Sequence, residues 1–277
     1  MQLFITIVLY AGCVCRIFMA DEMSQEVVFP FLQQEMVYRL TSIFLLTINT
    51  FVLIFVMRKQ KLIELRNYYP ALIYLLLSCV FSDILNPPVL LVGLVFTLNF
   101  FGNLFDWEES NINRKIFRYG FCVGVLALLY FPLALLLFFV YWMCIILGRV
   151  NFRSITLPIL GLFLPFLYWY SALYVLGYDF SFQQIIPQMG KNLLAFSCFE
   201  ITESAFTVIS TVILLLICFK SFYSIIKLIG KMSVFRRKKY YILLILFLFS
   251  MIFAYFYSPF YWGIFLIAST IVMSLRE

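Results

Sequence analysis

Histidine is missing altogether from these 277 residues, and charged side chains make up only 12% of them. The first absence removes the commonest metal ligand and the commonest general base. The second removes the charged shell that a water-soluble protein of this length needs. The seven cysteines (Cys13, Cys15, Cys79, Cys122, Cys144, Cys198 and Cys218) are scattered through apolar stretches with no CxxC pair. They read as buried free thiols that act as small apolar residues, and no metal site is expected. The chain has no internal repeat, no low-complexity linker and no stretch polar enough for a soluble domain. It also has no Ser–His–Asp arrangement, no phosphate-cradling glycine loop and no nucleotide motif.

What is present is apolar: 65% of the residues are hydrophobic and 20% aromatic. Apolar runs of membrane-crossing length recur from end to end, whereas a transmembrane barrel would show short alternating segments. The fold class is therefore all-α, a polytopic transmembrane helical bundle forming a single integral membrane domain over residues 1–277. Helices are expected at about 2–19, 39–57, 69–85, 88–104, 116–131, 132–148, 155–176, 193–219, 240–256 and 259–275. Proline sets two of the breaks, at Asn86-Pro87-Pro88 and at Tyr130-Phe131-Pro132, because it removes a donor and restricts the residue before it. The opening MQLFITIVLYAGC has the apolar core of a signal peptide. With no positive charge before that core, and Tyr10 where a lipoprotein signal prefers a small aliphatic residue, residues 1–19 read as a retained first helix.

Basic residues orient this layout. Seventeen of the 20 fall in alternate connections, in clusters such as Arg58, Lys59, Lys61 and Arg66, or Arg114, Lys115 and Arg118. Only Arg16, Arg39 and Lys191 lie on the other side. Ten spans with both termini in the cytoplasm of a bacterial inner membrane satisfy the positive-inside rule throughout. The longest outer loops are then about 20–38 and 177–192. The basic cytoplasmic segment 219–241 spaces Lys220, Lys227 and Lys231 among apolar residues and ends in Arg236, Arg237, Lys238 and Lys239. That pattern reads as an interfacial helix on anionic headgroups; a nucleic-acid partner is not expected for a segment wedged between two spans.

Carboxylates inside such a chain are costly and draw a functional hypothesis by default. Glu200 and Glu203 share a helix face three residues apart, and two readings follow. If the eighth helix begins near Leu193 they lie within the bilayer, where with Asp83 they could relay protons or ions. If residues 191–202 lie in the interface and the span begins near Ser204, both acids see headgroups, and Glu203 meets the positive end of the helix dipole. Asp83 alternatively caps the proline turn after the third span. Asp21 and Glu22 directly follow the first span. Adjacent acids at such a rim are either solvated or able to hold a divalent cation or act as a general base. Arg16 is a partner for these acids or snorkels to the surface.

Residues 119–170, from YGFCVGVLALLYFPLALLLFF through LPILGLFLPFLYWY, resemble the central segment of the GT-C superfamily of membrane glycosyltransferases. The shared cadence is a glycine-containing helix, a break at proline, a short helix, a basic turn and a proline-bearing span. The resemblance implies a GT-C-like helix arrangement and a sugar carried on polyprenyl phosphate. It also implies Asp21 and Glu22 as base or metal ligand with a divalent cation, and Arg16 and Lys191 as contacts to lipid phosphate. The first outer loop is under twenty residues here and no soluble domain follows the spans, which fits a reduced fold of that type without catalysis. The wider stretch from about Ile54 to Gly177, with its basic turn RKQKLIELRNYY, is similar to a Bacteroidota family of polytopic inner-membrane proteins of unknown function. The expected role is a non-catalytic subunit or assembly factor of a cell-envelope complex, in secretion or surface export, packed against lipid and other membrane or periplasmic proteins. The alternatives are a GT-C-type glycosyltransferase and an ion-coupled transporter or motor component.

Overall fold

The computed structural model describes residues 2–19, 35–60, 68–81, 85–101, 112–148, 150–175, 216–217, 219–223, 225–227, 229–230, 234–256 and 260–274. Every element among them is helical and none is a strand. In chain order they are α1 (Gln2–Met19), α2 (Glu35–Lys59), α3 (Tyr69–Val80), α4 (Pro87–Phe96), α5 (Ile112–Leu129), α6 (Leu136–Ile146), α7 (Phe152–Val175), α8 (Val234–Phe256) and α9 (Phe260–Ser274). A π-helical turn, Thr97–Phe101, continues α4, and a 3-10 turn, Phe131–Leu135, leads into α6. The expected helix over 193–219 lies almost wholly outside the described residues.

Among the described residues, three helices are long and apolar enough to cross a membrane: α2, α7 and the Arg237–Phe256 portion of α8. The 25 residues of α2 rise about 37 Å, more than a hydrocarbon core of about 30 Å. Proline shortens others. Pro87 opens α4 at the expected break, with Asn86 extended before it (ψ 133°), and Pro132 sits in the 3-10 turn that separates α5 from α6. With 12 residues, α3 is less than half as long as α2, since it starts at Tyr69-Pro70 and ends where Phe81 turns extended.

The chain forms two compact units. One comprises Met1–Gly102 and Phe199–Glu277, and the other Asn103–Cys198. In the first unit α9 is the hub. All of its residues except Met273 are buried, as a helix apolar on every side requires. It packs on α8, α3 and α4. Phe265 meets Phe247 at 5.4 Å and Tyr261 meets Phe253 at 5.3 Å, ring centroid to centroid. Trp262 stacks on Phe81 at 5.2 Å. The hydroxyls of Ser269, Thr270 and Ser274 are satisfied within α9 by carbonyls three residues back, at 2.7–2.8 Å. No polar group of these three is therefore left for lipid or a neighbour to satisfy.

Contacts also give the helix directions. Arg16, in the last turn of α1, reaches the Cys79 carbonyl in the last turn of α3, so α1 and α3 end together and run parallel. Tyr10 bonds Thr47 (2.7 Å) while Arg39 bonds the Phe18 carbonyl, so α2 runs antiparallel to α1. Gly263 lies against Val89, and Gly93 against Ile267, so α9 runs with α4. The α8–α9 ring pairs descend as they ascend, so those two are antiparallel.

In the second unit α5 and α7 cross in close contact. A Cβ on Gly124 would stand 2.5 Å from the Leu162 carbonyl oxygen, and one on Gly161 would stand 2.5 Å from the Phe117 carbonyl oxygen. Backbone touches backbone there, which only glycine permits. The buried residues of α7 are Ser154, Pro158, Gly161 and Pro165, a narrow stripe spaced four, three and four residues apart. Between α6 and α7, Gly148 takes φ 68°, in the left-handed region that ends a helix cheaply only for glycine. Ser154 then accepts from the Asn151 amide (2.8 Å) and donates back to its carbonyl (2.6 Å), which fixes the start of α7.

Candidate functional site

Polar groups of the first unit gather where α1 and α3 end and α2 and α4 begin. Helices end with four carbonyls that lack intrahelical partners, at the negative end of the dipole. Two arginines answer this. The Arg16 guanidinium, from the last turn of α1, donates to the Cys79 carbonyl in the last turn of α3. Arg39, in the second turn of α2, donates to the Phe18 carbonyl near the end of α1. It also pairs with Glu35 one turn back and lies 5.9 Å from the Phe18 ring centroid. Tyr38 completes the rim by donating 2.8 Å to Asn86 Oδ1, which holds the start of α4 against α2.

Of the residues singled out from sequence at this rim, the structure thus describes Arg16 and makes it a cap on α3. Asp21, Glu22, Asp83, Lys191, Glu200 and Glu203 lie outside the described residues. In the basic segment, Lys231 lies outside them too. Lys220 and Lys227 are exposed on helical stretches whose Ser221, Ile225 and Ile229 are buried, an amphipathic arrangement with the cations on the open side. Arg236, Arg237, Lys238 and Lys239 belong to the first two turns of α8. Cations in the first turn of a helix oppose its dipole by some 0.3–1 kcal/mol each, a cost that falls on Arg236 and Arg237. Attraction to an anionic headgroup, about 1 kcal/mol per basic residue, is of the size needed to offset that cost.

Sequence reasoning missed two features. One is the α5–α7 crossing, which the small-residue spacing of Gly120 and Gly124 could have signalled. The other is a thiol pair. Cys13 and Cys79 approach to 2.8 Å, sulfur to sulfur, directly beneath the Arg16 cap. No local motif could have found it, because the partners are 66 residues apart on separate helices. Among the described residues, no group of three or more Cys, Asp or Glu side chains could hold a metal ion. Comparison with protein-family models, with curated proteins and with solved structures finds no match to this chain.

Proposed function

We propose that the chain is a non-catalytic inner-membrane subunit or assembly factor of a bacterial cell-envelope complex, in secretion or surface export. In this reading ten spans cross the membrane, both termini are cytoplasmic, and the helices follow a GT-C-like course. The observation that carries it is the division of α7. Its narrow stripe of small residues and prolines is consumed by α5, while Phe163, Leu167, Tyr168 and Trp169 turn outward, each more than half exposed. Such a helix is fixed on one side and offers bulky rings to lipid or to a partner helix on the others. The helix directions within the first unit support the ten-span course. Native mass spectrometry of the protein extracted from its own membrane in mild detergent tests the reading. A stoichiometric protein partner is expected; a lone chain carrying only lipid overturns it.

A glycosyltransferase using a polyprenyl-phosphate sugar is the second reading. It is favoured by the helix, 3-10 break, short helix, turn and proline-bearing helix that run from Ile112 to Val175. On that reading Asp21→Asn abolishes function while the protein inserts normally, and wild-type function in this variant excludes it.

A further inference from the structure

We propose that Cys13 and Cys79 form a dithiol–disulfide couple that clasps α1 to α3. Their sulfurs stand 2.8 Å apart. A covalent sulfur–sulfur bond is about 2.05 Å long, so closure asks for a movement of less than an ångström. The two helices are already in register for it. Cys13 Sγ lies 3.4 Å from the Leu75 carbonyl oxygen, one turn before Cys79, and Cys79 Sγ lies 3.5 Å from the Leu9 carbonyl oxygen, one turn before Cys13. The meeting of the thiols is therefore set by two matched turns, one on each helix.

Burial assigns each sulfur a part. Cys13 is fully buried, whereas Cys79 is partly exposed in the last turn of α3. Beside Cys79, Gly12 contributes no side chain that would cover its sulfur. An incoming disulfide, from a small molecule or a protein, meets Cys79 first. The Cys79 thiolate attacks one of its sulfurs, forms a mixed disulfide and expels a thiolate. Cys13, having given up its proton, then attacks Cys79 Sγ, and the second thiolate leaves. Two thiols have lost two electrons and two protons, and the reagent has become two thiols. That the oxidised form is the resident one rests on the topology proposed above, which puts the Cys79 end of α3 at the outer, oxidising face.

The full-length chain in its own membrane tests this. Cells are quenched in acid, free thiols are blocked with N-ethylmaleimide, and the protein is digested and its peptides weighed. Washed membranes treated with glutathione disulfide before quenching form a second sample. The expected product in both is a peptide pair joining Cys13 to Cys79, two hydrogens lighter than the sum of its parts and absent after dithiothreitol. The link in treated membranes alone upholds the couple and counts against the outward topology, so the two ideas fail separately. Maleimide on both thiols in the treated sample, where exposed Cys15 has taken up glutathione, overturns the proposal. So does a link from Cys79 to Cys15 in place of Cys13.

Discussion

The glycines of α5 and α7 stand where backbone meets backbone. At Gly124 a single added methyl group must push the Leu162 backbone away, and the helix carrying that backbone has no flexible side chain to yield in its place. Gly124→Ala is expected to destabilise the protein by about 1–3 kcal/mol, the usual cost of overpacking. Trp169→Ala, on the exposed side of α7, is expected to stay within about 0.5 kcal/mol of the parent. Thermal melting in detergent, followed by the loss of the monodisperse peak, separates the two; equal melting temperatures would show that the crossing carries no such load. Gly148 has a different reason to be glycine. Nothing lies within 4 Å of the site a Cβ would occupy, yet its φ of 68° makes Gly148→Ala cost roughly 1–2 kcal/mol through the backbone alone.

Helices reveal what was legible in the sequence. Composition and proline placed the elements well: α4 begins at Pro87, and the 3-10 turn begins at Phe131, both at the breaks expected from proline. The ends moved where polar residues continue the helix. Thus α2 already includes Glu35 and Arg39, paired across one turn, and α8 takes in the basic run Arg236–Lys239. The thiol pair, the stripe on α7 and the burial of α9 were not legible, since each depends on which distant helix arrives alongside. The basic run of α8 sits where the dipole of its own helix disfavours positive charge. Replacing Arg236, Arg237, Lys238 and Lys239 with glutamine is expected to shorten nothing but to loosen the orientation of α8. Labelling of single cysteines after Phe256 with an impermeant reagent should then find chains in both orientations, and an unchanged pattern would show that orientation is set elsewhere.

At the scale of the molecule, the first unit depends on α9. Burial of α9 on every side means that the first unit is built around a segment that joins it from the far end of the chain. A chain stopped after residue 259 is expected to lose the folded first unit entirely, and to elute as aggregate in detergent where the full chain gives one peak. A monodisperse truncated chain would show that α1–α4 hold together alone.

That arrangement also imposes a schedule on biogenesis. The second unit is continuous in the chain and can close as soon as α7 has left the ribosome, roughly three to thirteen seconds after α5 began to emerge at 5–20 residues per second. The first unit has no such freedom. Its first four helices are made before the second unit and must wait through the synthesis of everything that follows, with the place of α9 beside Val89 and Gly93 unfilled. During that wait the apolar surfaces that α9 later covers stand open, and a ribosome that stalls late leaves them so.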